Sequence, residues 1–577
     1  MSISNNSHAG AQQLPPSVAP DFDKMKLWDM DAEDIYKILL AELEAQLIDI
    51  LKLPEAPNPD RNLIEYGLES LQALMLRNRL SDRFGCTLPG TVAFQHPNPH
   101  ALAGYLTKCL MEDRPTMGNI GSWATGPGPM PPGQHQLLSP AQYESWFHQR
   151  QNPGSCRANM PFGLRLLGPL DTELLQPCLD EIARRHAILR TRYLEREDQV
   201  WQAQESKSNM ALQRLDWSNR TMAERRQAMQ DWMRAQIRER PFDLSKLPLW
   251  RTYLVQIRET EHYLLFVFHH IQIDRISFHL LQDELWRLYA AFKENKTPPL
   301  SSLPIQYSDY AAWQRRMLTP ERLMEKQTYW NRLLDHPPTP LRLSKTEDKT
   351  PAAFSKTITR PLGRAQTRQL ENFSRQQGNT LFTTLVTAFS ILLYPYSDRQ
   401  SVLIGAPMSN KRTHRRLENL IGHFSGKASL HIRFSDKPNV VTLLQRAQRM
   451  VEDAFMHQNV THMQLQLLSN EGEPCAPNQS FQVVINFIPV SPPPITSHST
   501  PLLKVQYLKN MDDGVSAPEL TLVVMYEQSE NGNRLNLGWR YRVGSLKAEQ
   551  IHQLSERFES ILKDMQRNPE EHIDKLV

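Results

Sequence analysis

The chain has 577 residues, of which 40% are hydrophobic and 22% charged, with a formal net charge of +4. That is too much chain for one hydrophobic core, and the length points to about three or four units of ordinary domain size. The near-neutral balance argues against a dedicated nucleic-acid surface or a polybasic membrane surface, and no apolar run reaches membrane-spanning length.

The five cysteines, Cys86, Cys109, Cys156, Cys178 and Cys475, are scattered and show no CxxC or Cys/His ligand spacing. Reduced thiols follow, with neither a disulfide framework nor a metal site expected. Neither GxGxxG nor GxxxxGKS occurs, which removes the simplest nucleotide-binding readings. The N-terminal stretch lacks a basic n-region and an apolar h-region, so a cytoplasmic location is expected.

In chain order, residues 1–24 are polar and proline-bearing and read as a disordered leader. A compact helical unit is expected over 25–111. Ile35, Leu39, Leu43, Leu47 and Ile50 fall on one face at helical spacing. A second amphipathic helix begins after "GLES", with Leu71, Leu74, Met75, Leu80 and Phe84 as its apolar face. Ser70 stands at the start of that helix, where free N–H groups and the helix dipole favour an anion. An isolated serine there is by itself an ordinary N-cap.

Residues 112–136 run through Gly and Pro without periodicity and read as a flexible linker. From 137 to 577 strand-like and helix-like segments alternate. A proline-rich break over 336–354 divides this region into lobes of about 137–335 and 354–577. In the first lobe, "HYLLFVFHH" is a strand apolar on both faces, as expected inside a sheet. In the second, "NTLFTTLVTAFSILLYPYS" puts Leu381, Leu385, Ala388, Phe389 and Leu392 on one helical face. The strand finishes in His269 and His270, with Asp274 four residues on. A histidine at a strand end is commonly structural. Two histidines and an aspartate also suit a metal site, but no third ligand of the usual kind lies nearby.

The stretch "DRNLIEYGLESLQALMLRNRLSDRFG" resembles the acyl carrier protein family, whose motif is Gly-(Leu)-Asp/Glu-Ser-Leu. "TLPGTVAFQHPNPHALAGYL" is similar to the closing helices of polyketide-type carriers. The resemblance covers roughly 32–110. It implies that Ser70 carries 4′-phosphopantetheine, attached by a phosphopantetheinyl transferase. Glu69 stands where many carriers have Asp.

"HHIQID" resembles the His-His-x-x-x-Asp signature of nonribosomal peptide synthetase condensation domains, relatives of chloramphenicol acetyltransferase. Further blocks follow in the family's order over about 137–577: "LSPAQYESWF", "RRHAILRTRY", "YSDYAAW", "IGAPMSNKR", "LIGHFSGKASLHIRF" and "HQNV". The implied fold is a small four-helix carrier domain followed by a two-lobed α/β condensation domain, with an active-site tunnel between the lobes. The resemblance makes His270 the histidine facing the reaction, as general base or as a group that orients the nucleophile or stabilises the intermediate. It gives His269 a buried structural role. Asp274 is expected to fix loop geometry by pairing with an arginine, Arg190 being the candidate.

Several positions depart from the family pattern, and the "HQNV" block continues with Thr-His-Met rather than the usual Pro-Phe-Glu. Arg275 replaces the usual Gly after the aspartate; it either points to solvent or contacts a carboxylate or phosphate of a substrate. Gly426 and Lys427 replace Asn and Thr in "GHFSGK", which puts the usual lining of the tunnel floor in doubt and makes both candidate substrate contacts, and Glu144 stands where Arg is common. The expectation is an acyltransferase of natural-product biosynthesis that passes a carrier-bound acyl thioester to an amine or hydroxyl. The donor is expected from an upstream synthase or loading enzyme, and the acceptor from another carrier protein or as a free small molecule. An epimerisation domain shares the two histidines, and a non-catalytic recruitment module would share the fold. A heterocyclising variant lacks its two-aspartate motif here.

Overall fold

The computed structural model describes residues 30–51, 53–68, 70–84, 88, 92–112, 127–129, 136–197, 199–334, 339–343, 355–408, 415–434, 436–457, 481–490, 503–508, 518–527 and 532–577. The expected leader and nearly all of the expected linker lie outside the described residues.

The front domain holds helices α1 (Ala32–Leu51), α2 (Ser70–Phe84), α3 (Val92–Gln95) and α4 (Pro99–Glu112). Helix α1 buries Ile35, Leu39, Leu43 and Leu47, the stripe that its spacing predicts. Helix α2 bears out part of its expected face, in Leu80 and Phe84. It buries Ala73, Leu76, Leu80 and Phe84, while Met75 is half-buried and the side chains of Leu71 and Leu74 lie outside the described residues. The buried set keeps the three-and-four repeat of a helix face. Leu102, Leu106 and Leu110 of α4 complete a single small core.

The remainder is α/β. Its first half runs β1 (Gln136–Leu137), α5 (Pro140–Gln151), β2 (Asn159–Leu167), α6 (Leu175–Arg185), β3 (Thr191–Arg196), β4 (Gln199–Gln204), β5 (Leu212–Asp216), α7 (Met222–Met233), β6 (Trp250–Arg258), β7 (Glu261–His269), α8 (Arg275–Lys293), α9 (Tyr307–Met317) and α10 (Pro320–Leu334). The second half runs β8 (Ser355–Pro361), α11 (Arg364–Gln376), α12 (Leu381–Leu393), β9 (Ser401–Met408), β10 (Gly426–Arg433), α13 (Val440–His457), β11 (Val483–Val490), β12 (Lys504–Tyr507), β13 (Leu520–Glu527), β14 (Arg534–Arg542) and α14 (Ala548–Arg567).

Two main sheets result. One has the order β12-β2-β7-β6-β5 and the other β10-β9-β11-β13-β14-β8, with a small β1-β4-β3 sheet beside the first. Strand β7 is central and buried along nearly its whole length, as its unbroken apolar run requires. Helix α12 was expected to bury one face but buries all thirteen residues. Its hydroxyls are met by carbonyls of the preceding turn, such as Thr387 on Thr383 at 2.9 Å, or in the case of Thr383 by Gln448 Oε1 at 2.7 Å, so polar residues enter the core without unmet hydrogen bonds.

Two segments of the second half cross into the first. Strand β12 pairs with β2, Val505 opposite Leu166. Leu417, Leu420, Ile421 and Phe424 share a core with Phe266, Phe268 and Phe278. Burying each such side chain contributes about 1.5–3 kcal/mol, so the 417–424 strap is held firmly against the end of β7. Among the described residues no helix is long and apolar enough to cross a membrane.

Candidate active site

Strand β7 ends where its neighbour β2 begins, Asn159 lying opposite His269. The next residue continues that pairing, since the His270 N–H donates to the Ala158 carbonyl at 2.8 Å. A tight turn follows, and Asp274 caps α8 by accepting from the Ser277 N–H at 2.7 Å. The strand therefore delivers two histidines and a capping aspartate to one place.

His269 is fully buried. Its Nδ1 accepts from the Ile271 N–H at 3.1 Å, which leaves the proton on Nε2, 3.5 Å from Gln149 Oε1. Phe242 meets the ring edge-on at 6.1 Å. Burial first, and the neighbouring His270 second, push its pKa down to about 3. This is a neutral, structural imidazole.

His270 is arranged in the opposite sense. Its Nδ1 lies 2.7 Å from the Ile273 carbonyl, and because a carbonyl only accepts, Nδ1 carries the proton. Nε2 is left with a lone pair that no described residue engages, on a ring that is only half-buried. Burial lowers its pKa below the ordinary histidine value; the Ile273 carbonyl and Asp274 oppose this, and the Lys427 charge adds to it. A neutral ring of fixed tautomer is the form that can take up a proton.

Asp274 does not pair with Arg190, contrary to the expectation. The Arg190 guanidinium donates to the Glu205 carbonyl at 2.5 Å, and the Glu205 N–H returns a bond to the Arg190 carbonyl at 2.9 Å. Arg190 is thus absorbed into the β3–β4 hairpin. The buried Asp274 carboxylate instead serves backbone N–H groups, Oδ1 on Ser277 and Oδ2 on Phe424 at 3.2 Å. Ser277 Oγ completes the clamp, donating to the Gly422 carbonyl at 2.8 Å and accepting from its N–H at 2.9 Å.

That clamp fixes a residue that the sequence motifs did not single out. The His423 ring stacks on His270 with centroids 4.3 Å apart and planes at 29°. Its Nδ1 is 3.5 Å from Ser145 Oγ on α5. Gly422 is required just before it, because a Cβ there would stand 1.9 Å from Tyr307 Cδ2. The Tyr307 hydroxyl donates to the His423 carbonyl at 2.6 Å and lies 3.0 Å from Ser139 Oγ. The "LSPAQ", "YSDY" and "LIGHF" blocks therefore meet around the strap. The available signal was a third histidine within the "LIGHF" block.

Of the departures, Arg275 is half-buried, and its charge reaches Tyr507 of β12. It is also felt by His279, whose pKa is driven to about 4 by burial first and Arg275 second, against Asp274. Tyr507 holds His279 Nδ1 at 2.8 Å. Gly426 and Lys427 open β10, with Cα partners Met408 and Pro407. Lys427 and Glu144, which depart from the family pattern in opposite charge, come close to one another. A surface cavity of about 330 Å³ lined by Asn209, Phe242, Trp250 and Arg251 lies on the His269 side, and His270 does not line it.

At the front domain, Gly67 adopts φ 88° and closes the short turn Leu63–Tyr66, and the buried Leu68 then anchors the chain. Ser70 follows as the first residue of α2, with no acidic residue in the first turn. A helix start, with its N–H groups and positive dipole end, fits the phosphodiester of a phosphopantetheine arm. Helix α2 also touches the large domain: Arg79 bridges Asp49 at 2.6 Å and Glu418 at 2.9 Å.

The family model described as "Condensation domain" matches residues 133–577, and the model described as "Phosphopantetheine attachment site" matches 41–106. The chain belongs to the condensation-domain family and carries a phosphopantetheine attachment domain in front. Malpinin synthetase of Mortierella alpina is 31% identical over 504 residues, 85% of this chain. A linear gramicidin synthase of Brevibacillus parabrevis is 32% identical over 428 residues, 73% of this chain. The chain spans only 6% of the first relative's length and 5% of the second's. Among solved structures, the complex of the X-domain and OxyB from teicoplanin biosynthesis superposes with a TM-score of 0.67 at 20% identity, covering 78% of this chain and 98% of that one. The first condensation domain of the calcium-dependent antibiotic synthetase, in complex with a substrate analogue, gives 0.62 at 17% identity, covering 77% and 99%. At these identities the superpositions establish the α/β fold of the large domain; the carrier domain in front of it rests on the family match over 41–106.

Proposed function

We propose that this chain is a carrier–condensation didomain that transfers an acyl group from Ser70 of its own carrier to an amine or hydroxyl, forming an amide or ester in natural-product biosynthesis. The carrier occupies 25–111 and the condensation domain 137–577, joined by the linker 112–136. Its lobes, about 137–335 and 354–577, enclose the reaction passage. When attached, the phosphopantetheine arm supplies a thiol that bears the acyl group as a thioester. A phosphopantetheinyl transferase attaches the arm, an upstream synthase or loading enzyme provides the acyl group, and the acceptor is a second carrier protein or a free small molecule.

The observation that carries this reading is the His270 ring, with Nδ1 donating to Ile273 O at 2.7 Å and Nε2 open. An activated thioester asks little of the protein beyond placement and a proton acceptor. His270 Nε2 takes the proton of the incoming amine or hydroxyl as the new bond forms, and returns it to the leaving thiol. His423 holds the ring from one face, while Asp274 and Ser277 hold His423. The test is intact-protein mass spectrometry of the acyl-loaded chain with candidate nucleophiles. Acyl loss with a new amide or ester in wild type, and retention in His270→Ala, supports the reading. Equal turnover in both contradicts it and favours a recruitment module.

A further inference from the structure

The cavity of about 330 Å³ at the start of β6 lies apart from His270 and has a buried charge in its wall. Arg251, the second residue of β6, lines it and is 7% exposed. Its guanidinium donates to main-chain carbonyls, Nη1 to Gln236 at 3.2 Å and Nη2 to Arg240 at 2.8 Å and Pro241 at 3.2 Å. The Phe242 ring covers it, with the guanidinium carbon 3.9 Å from the ring centroid. No carboxylate lies within ion-pair reach of Arg251 among the described residues, and the groups whose charge it feels are Arg240, Tyr253 and Cys156. A buried guanidinium is ordinarily paired with an acid, because carbonyl dipoles offset only part of a full desolvated charge. Burial first, and Arg240 second, push its pKa down to about 10.

The rest of the wall does not supply the missing acid. Asp243 is the one carboxylate lining the cavity among the described residues, and it is already engaged. It accepts from the Ser245 N–H at 3.0 Å and the Ser245 hydroxyl at 2.7 Å, and Lys246 Nζ stands 3.0 Å from it. Arg240 is exposed at the rim, where it donates to Gln236 Oε1 at 3.2 Å and to the Tyr253 hydroxyl. Glu239 acts on Cys156 and does not line the cavity. With Lys246 set against Asp243, the guanidiniums of Arg251 and Arg240 are left without a carboxylate among the described residues. The remaining wall is largely apolar, with Met210, Pro241, Phe242, Leu247 and Pro248. A cleft of this size that joins unmatched cations to apolar walls has the form of a small-ligand site.

We propose that this cavity binds a small organic anion, a carboxylate or phosphate ester on an apolar body, with its charge against Arg251 and Arg240 and its body against Met210, Leu247 and Pro248. The site is distinct from the transfer centre. The His269 N–H donates to the Leu249 carbonyl at 3.0 Å, one residue before Trp250 of the cavity wall, and Phe242 meets the His269 ring edge-on at 6.1 Å. The ligand therefore sits behind the structural histidine and not before Nε2 of His270.

The test is titration calorimetry of the full holo-chain at low ionic strength with benzoate and phenyl phosphate, and with benzamide as the neutral match. At least one anion is expected to bind, the tighter of the two identifying the charged group, and benzamide should bind about tenfold more weakly or not at all. Acetate and inorganic phosphate, which lack the apolar body, should bind more weakly than their aryl counterparts. Arg240→Glu reverses a charge at the exposed rim and should weaken the anion about tenfold. Ala211→Trp fills the cavity from an exposed lining position without changing charge and should abolish binding. Arg251→Gln should also abolish it. Since Arg251 ties three carbonyls together, thermal unfolding shows first whether that variant folds, and the other two substitutions decide the matter if it does not. No heat from either anion, or benzamide, acetate or inorganic phosphate matching the aryl anion, overturns the proposal. So does anion binding that survives Arg240→Glu or Ala211→Trp unchanged.

Discussion

Asp274 Oδ2 accepts the Phe424 N–H at 3.2 Å, which ties the start of α8 to the strap that crosses from the second lobe. The aspartate of the signature thus acts on the reaction through backbone geometry, by keeping His423 against His270. Asp274→Ala removes a helix cap and strands two buried N–H groups. Urea unfolding should show a loss of about 2–4 kcal/mol, with transfer falling in parallel. Asp274→Asn keeps an acceptor for one of them and should lose about half as much. An Asp274→Ala variant of unchanged stability would contradict this role.

The acid limb of the rate profile reports His270. Its pKa is lowered, so the base is unprotonated and active at pH 7, and activity is lost as pH falls through a value below the ordinary 6.5. Lys427 contributes to that lowering. Removing its charge in Lys427→Met should move the limb to higher pH. Asp274 acts in the opposite direction, so Asp274→Asn should move it lower. Steady-state profiles of kcat/KM for a neutral substrate give both shifts.

His269 makes the fold acid-sensitive. Its folded pKa is about 3 against the ordinary 6.5, so between those values the unfolded chain binds a proton that the native state refuses. Stability therefore falls as pH drops below about 6.5, by roughly 1.4 kcal/mol per unit from this group alone, and the loss is complete near pH 3. His269→Gln should show a flatter decline over that window in denaturant titrations, even though it is less stable at pH 7.

Arg79 and Glu418 mark where the carrier touches the large domain. The pair is partly exposed, so about 0.5–1 kcal/mol is at stake, or two- to fivefold in rate. Tethering supplies a high effective concentration and masks such an effect. It is best read with an excised carrier added in trans. Glu418→Lys should slow transfer, and Arg79→Glu on the carrier should restore it. A double exchange no better than either single change would remove this contact from the productive complex.

The elements that position the site were legible where burial alone decides the pattern. The unbroken apolar run of β7, the α1 stripe and the glycine before Ser70 all follow from local rules. Partnerships across the chain were not legible. Arg190 has the right chemistry for Asp274 but is taken by Glu205, and Asp274 serves N–H groups, which every residue but proline offers. His423 escaped notice because its importance comes from the clamp that Ser277 and Gly422 make, some 145 residues apart. The all-round burial of α12 likewise depends on neighbours that no window of sequence contains.

The central claim is that His270 Nε2 accepts the nucleophile's proton during transfer from Ser70. The most direct measurement is single-turnover acyl loss from the loaded full chain, followed by intact-protein mass spectrometry at several pH values. For wild type the account predicts a new amide or ester, with a rate that falls in acid as one group below pH 6.5 is protonated. For His270→Ala it predicts a rate at least a hundredfold lower, with no such acid limb. A His270→Ala chain that retains the wild-type rate and pH profile would contradict the account.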